Sequence, residues 1–138
     1  MTNEVVIEAW NTVLFDKFTR FKYLFVEGYA AISEQVFERH PPPVGSKMLD
    51  VGCGFGDCTV RIAKLIGDKG IACGVDCASN FIQQCKLLAE QEALNNTNFF
   101  VADIDIETSC VIGHRVRPVF FVATVLMLAV LRHLAPRY

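Results

Sequence analysis

The chain of 138 residues has no apolar run long enough to cross a bilayer. Its longest run, Val119 to Leu131, covers 13 positions interrupted in polarity only by Thr124, whereas a membrane helix takes about 20. That run is read as a buried core segment, and no membrane span is expected. Basic charge is not in excess either: 13 Lys and Arg stand against 15 Asp and Glu, for a net charge of -2. A nucleic-acid partner is therefore not expected, since such proteins carry a basic face or stripe. No basic start followed by an apolar signal core opens the chain. The six cysteines form no C-x-x-C pair and follow no secreted spacing, and His40, His114 and His133 lie far from them. No metal site is expected. Free thiols in a reducing cytoplasm fit this usage.

Acids and lysines are missing from the last part of the chain. All 15 acids lie at or before Glu107, together with nine of the basic residues, and positions 108–138 hold four arginines, no acid, no lysine and a single glycine, Gly113. The length is that of one domain. It divides into an N-terminal helical segment over 1–43, an alternating core over 44–107, and an apolar C-terminal segment over 108–138.

Residues 2–39 place apolar side chains at helical spacing (Val6, Trp10, Val13, Leu14, Phe18, Phe21, Phe25, Ile32, Val36, Phe37), which predicts two or three amphipathic helices with a break near Gly28. Pro41-Pro42-Pro43 ends that segment. Beyond it the rhythm is strand, loop, helix. A strand over 47–51 leads into a helix over 59–66, a strand over 71–75 closes on Asp76, and Ser79 is placed to cap a helix running to about Leu94. Phe81, Ile82, Cys85, Leu88 and Ala89 would form that helix's buried side. A third strand is read at Phe99 to Ile104. Strands alternating with helices at this spacing predict an α/β domain with a parallel sheet and helices on both faces.

The glycines of Leu49-Asp50-Val51-Gly52-Cys53-Gly54-Phe55-Gly56 sit between the first strand and its helix, where backbone must turn tightly and approach a ligand closely. A loop of this kind can gather amide N–H groups at the positive end of a helix and so favour an anion. A dinucleotide loop reserves for its third glycine the place that Asp57 holds here, and a carboxylate there opposes a pyrophosphate. That argues against NAD or FAD.

Asp50-Val51-Gly52-Cys53-Gly54-Phe55-Gly56 resembles the acid-x-G-x-G-x-G motif of class I S-adenosylmethionine-dependent methyltransferases, small-molecule type. Gly74-Val75-Asp76 and Val101-Ala102-Asp103-Ile104 resemble that family's second and third motifs, in order and at fitting separations. The resemblance covers about residues 4 to 106. It implies a Rossmann-like doubly wound sheet, here incomplete at three to four strands, with S-adenosylmethionine as cofactor. Asp50 would orient the loop and stand near the methionine ammonium. Gly52, Cys53, Gly54 and Gly56 would form the loop, Asp76 would accept from the ribose hydroxyls, Cys77 and Ile104 would flank the adenine, and Asp103 would meet its exocyclic nitrogen. The activity implied is transfer of the sulfonium methyl to a small-molecule acceptor by in-line displacement, with no catalytic base identified. The alternative is a non-catalytic S-adenosylmethionine-binding fragment or pseudoenzyme. The stripe of Trp10, Phe15, Phe18, Phe21, Tyr23 and Phe25 reads first as helix packing and second as part of a lid over the cleft.

After about residue 107 the family pattern is not legible, so the chain reads as a truncated or altered form, with self-association expected through an uncovered sheet edge. The abrupt change to arginine-only composition predicts a tail read in a shifted frame. Translating the coding DNA downstream of Thr108 in all three frames checks this, and the expected outcome is a charged strand-and-helix pattern in one alternative frame.

Overall fold

A computed structural model describes residues 3–103. The tail after Asp103, with Ile104, Cys110 and the 119–131 run, lies outside the described residues. Three helices come first, α1 (Asn3–Asn11), α2 (Val13–Arg20) and α3 (Lys22–Arg39), followed by β1 (Lys47–Val51), α4 (Asp57–Ile66), β2 (Ile71–Asp76), α5 (Ser79–Gln91) and β3 (Thr97–Val101). Among the described residues no helix is long and apolar enough to cross a membrane.

The three strands are parallel in the order β1-β2-β3. Asp50, Gly74 and Phe99 are register partners, so they point to the same side of the sheet. On that side Met48 and Ala72 pack against Ile62, Ala63 and Ile66 of α4, while Phe99 packs against Ile82, Cys85 and Ala89 of α5. Both crossover helices therefore lie on one face, as right-handed connections between successive strands require. The described strands supply one winding direction of the doubly wound arrangement. Leu49, Val51 and Val75 point to the other face and are buried there with Ala102.

Several sequence expectations shift on inspection. Gly28 does not break a helix. It lies within the 18 residues of α3, and a methyl added there would meet nothing within 4 Å. An exposed helical glycine costs only about 1 kcal/mol, too little to interrupt a helix whose ends are set elsewhere. Ser79 is the first residue of α5 rather than its cap; Ala78 is the N-cap, and the Ser79 hydroxyl donates instead to Asn11 Oδ1 at 3.0 Å. The helix stops at Gln91, short of Leu94, where Ala93 turns the chain at φ 53° and Leu94 folds back onto the α4 cluster. Leu88 is only half-buried. β3 begins at Thr97, two residues early, because Asn96 fixes the turn before it by donating to the carbonyls of Ala63 (2.9 Å) and Gly67 (3.0 Å) at the end of α4. Those are carbonyls a helix end leaves without helical partners.

The glycine loop is seated on α5. Gly56, the N-cap of α4, has φ 84°, and a Cβ there would stand 2.9 Å from Cys85 Sγ and 3.2 Å from Cys85 Cα. Gly56→Ala is expected to combine left-handed strain of about 1–2 kcal/mol with this collision and to lower the thermal midpoint clearly. Adding Cys85→Ala removes the collision but not the strain, so calorimetric melting of the double variant should recover part of the loss.

Candidate functional site

The end of β2 organises the site. Asp76 Oδ2 accepts from the Gly54 amide at 3.0 Å, and Asp76 Oδ1 accepts from the Ala78 amide at 2.9 Å. One carboxylate thus joins the glycine loop to the start of α5. The amides of Gly52 and Cys53 both donate to the Val75 carbonyl, at 2.7 and 3.0 Å, and that of Gly56 donates to the Cys53 carbonyl at 2.9 Å. Cys85 Sγ donates to the Gly54 carbonyl at 3.1 Å. Four loop amides are therefore committed to the protein itself. The sequence reading of the loop as an anion-gathering set of N–H groups does not survive: what the glycines supply is space. A Cβ on Gly54, at φ 53°, would meet nothing within 4 Å.

That space opens into a cavity of about 650 Å³, well within the 300–1,000 Å³ range of small-molecule sites. Gly52, Cys53, Gly54, Asp76, Cys77 and Asp103 all line it. The structure brings these six expected residues together. Gly56 does not reach the wall, since it faces Cys85. Asp50 does not line the cavity either. It is 1% exposed on the helix side of β1, where Oδ2 accepts from Thr59 Oγ1 at 2.6 Å and Oδ1 has no hydrogen-bond partner among the described residues. Its expected place beside a ligand ammonium gives way to a place beneath the loop, because alternation in β1 turns position 50 toward α4. Ile104 lies outside the described residues.

Helices α1 to α3 cover the cavity. Asn3 Nδ2 donates to Asp103 Oδ2 at 2.6 Å. At the other end of α1, Asn11 Oδ1 accepts from Ser79 Oγ (3.0 Å) and from the Asn80 amide (3.3 Å), and Asn80 Nδ2 donates to the Asn11 carbonyl at 2.7 Å. Trp10, Phe15 and Phe18 pack against Phe55, Ala78 and Phe81. The aromatic stripe divides: Trp10, Phe18 and Phe25 line the cavity, whereas Phe21 and Tyr23 are exposed. Sequence reading missed Tyr29 and Arg61 on the wall. The signal for Tyr29 was the spacing Phe25, Tyr29, Ser33, Phe37, a four-residue repeat along one face of α3. Arg61 Nε and Nη2 donate to the two oxygens of Glu34 at 2.6 and 2.7 Å, which ties α3 to α4.

Burial dominates the electrostatics. It raises the Asp50 carboxyl to about 6 against the opposing bond from Thr59, and it raises Asp76 against the amides of Ala78 and Gly54. The Cys53 thiol is pushed up by its contact with Cys85 and by burial, Cys58 and Cys77 chiefly by burial. These thiols stay protonated near neutral pH, which removes the thiolate that nucleophilic catalysis needs. No group of three or more His, Cys, Asp or Glu side chains among the described residues could hold a metal ion.

Comparison with known proteins gives a consistent picture. Residues 43–110 match the family model described as a methyltransferase domain. The chain is 29% identical over 82 residues to aklanonic acid methyltransferase DauC of a Streptomyces species, an alignment covering 59% of this chain and 37% of that protein. It is 33% identical over 60 residues to the 23S rRNA (uracil(1939)-C(5))-methyltransferase RlmD of Acinetobacter baylyi, covering 44% and 13%. The chain thus spans little more than a third of the first relative and about an eighth of the second. In fold it is similar to a putative rRNA-methylase from Clostridium thermocellum, with a TM-score of 0.54 at 17% identity, covering 68% of this chain and 52% of that one. A coclaurine N-methyltransferase aligns with a TM-score of 0.50 at 24% identity, covering 54% and 22%.

The buried acids make stability fall as pH rises. Asp50 titrates near 3.8 when unfolded and near 6 when folded, so the folded chain holds the extra proton between those values. The stability this contributes is complete below about 4 and lost as pH rises through 6, by up to about 3 kcal/mol. Melting temperatures from pH 5 to 7.5 should fall in the parent chain and fall less in Asp50→Asn.

Proposed function

We propose that this chain, which belongs through residues 43–110 to the methyltransferase-domain family, binds S-adenosylmethionine in the cavity above the glycine loop and methylates a small-molecule acceptor. One observation carries the reading: the loop's amides are used internally while its glycines leave open space beside carboxylates. A phosphate-bearing cofactor needs free amides. A ligand with a sulfonium, an ammonium and vicinal hydroxyls needs room and acceptors, and both are on the wall.

The residues fit such a group. Gly52 and Gly54 let the main chain approach it, Asp76 keeps acceptor capacity for hydroxyl donors beyond its two amide bonds, and Asp103 and Cys77 border the same hollow. The cofactor would supply the electrophilic methyl group. The chain supplies position and exclusion of water: α1 to α3 close over the hollow, and their rings replace solvent around the acceptor. With the wall cysteines protonated, the chain offers no thiolate to the reaction, so an acceptor already nucleophilic or easily deprotonated suits it.

A small acceptor is favoured over RNA by the wall itself. Its described ionisable side chains include Glu34, Asp57, Asp76 and Asp103 against Arg61, which Glu34 already engages. A phosphate backbone would be repelled, whereas binding it calls for Lys and Arg. The alternative, a cofactor-binding unit without turnover, makes the same binding predictions and differs in giving no methylated product. A radiolabelled-methyl screen over small phenols, amines and acids separates the two.

Calorimetric titration should show saturable binding of S-adenosylhomocysteine and none of NADH. Asp76→Ala removes the acceptor and loosens the loop, so affinity for S-adenosylhomocysteine should fall by more than about tenfold, the equivalent of 1–3 kcal/mol for a lost buried partner. Unchanged affinity in that variant would take Asp76 out of the site.

A further inference from the structure

The half of the cavity away from the glycine loop is built of rings that do not finish packing against anything described. Phe81, Trp10, Phe18, Phe25 and Tyr29 follow one another along it. Trp10 lies 6.3 Å from Phe81 and 5.3 Å from Phe18, edge-on to the latter; Phe18 stacks on Phe25 at 4.5 Å and 4°, and Phe25 stacks toward Tyr29 at 6.3 Å and 16°. Trp10, Phe18, Phe25 and Tyr29 remain half-buried, and of the residues of α1 to α3 only Phe37 is fully buried. Positions 25 to 37 of α3 extend for about 18 Å along its axis, so this wall is a slot rather than a spot. Two near-parallel ring contacts in series leave flat, apolar faces beside the opening.

Resting on the reading of the cavity as a cofactor and acceptor site, we infer that the acceptor is a flat, uncharged, ring-bearing molecule lying against this wall, and that Phe25 and Tyr29 decide which one is taken. Uncharged follows from the surrounding carboxylates: Glu34, Asp57, Asp76 and Asp103 oppose an anion, and Arg61, the cation on the described wall, is held at both Nε and Nη2 by Glu34. Flat follows from ring planes 4° and 16° apart, which admit a third ring parallel to them. Phe25 and Tyr29 touch neither the glycine loop nor Asp76 in any contact described, so they select the acceptor without holding the cofactor.

Trp10 is the only tryptophan in the chain and lines the cavity, so its fluorescence reports on this wall alone. Coumarin, neutral and planar, serves as probe, and coumarin-3-carboxylate is the same ring system with a negative charge. With the full chain, coumarin should quench Trp10 saturably. The carboxylate should bind about tenfold more weakly, and Phe25→Ala and Tyr29→Ala should each weaken coumarin by about tenfold. Tyr29→Phe keeps the ring and should retain binding, which separates loss of the ring from loss of the fold. S-adenosylhomocysteine affinity should stay within about twofold in Phe25→Ala. Absence of saturable quenching, equal binding of the carboxylate, or full coumarin affinity in both alanine variants overturns the inference. If S-adenosylhomocysteine binds and coumarin does not, this inference fails alone; if coumarin binds and S-adenosylhomocysteine does not, the cofactor reading fails and the ring-lined wall stands.

Discussion

The carboxylate of Asp76 is the constraint on which the site depends. It sits at the C-terminal end of the central strand, where a parallel sheet leaves its connections to diverge, and it takes one amide from the loop after β1 and another from the start of α5. Without it the two segments bordering the cavity floor would be joined by packing alone. With it, the glycine loop is drawn across the strand end and held with its bare backbone toward the hollow. The group works under a cost, because burial opposes its charge, and the amides of Ala78 and Gly54 offset part of that cost.

Much of this core was legible in the sequence because local and global signals agree there. The strand over 47–51 was placed as observed and β2 differs by one residue, since apolar runs closed by glycine or aspartate leave little choice of boundary. The same holds for the proline stop, as α3 ends at Arg39. Asp76, Cys77 and Asp103 were expected at one hollow and lie there. What escaped the sequence was direction and competition. A motif shows that an acid and glycines occur together, but pleating decides that Asp50 faces Thr59 instead of the cavity, and contact with α5 decides that Gly56 serves packing. Ser79 was a plausible cap until a distant asparagine offered its hydroxyl a partner.

The helical cover was harder to read because its periodicity says which face is apolar and not what that face meets. In most small domains such a face is consumed by the core. Here α1 and α2 bury no residue fully, and their rings border a cavity while a few of them lean on Phe55 and Phe81. The cover is fixed at its edges by polar bonds: Asn3 to Asp103, Asn11 to Ser79 and Asn80, Glu34 to Arg61. This division, apolar packing for the floor and hydrogen bonds for the roof fastenings, is compatible with a site that must exchange its contents, since water can replace the latter at modest net cost.

Gly54 receives its shape from partners far along the chain: its amide meets Asp76, 22 residues on, and its carbonyl meets Cys85, 31 residues on. During synthesis the first strand, the loop and α4 leave the ribosome before either partner exists. The first βα unit therefore emerges without a formed loop, and competence to hold a ligand arises only when the second unit has docked. Binding by this chain is a property acquired late in its own making.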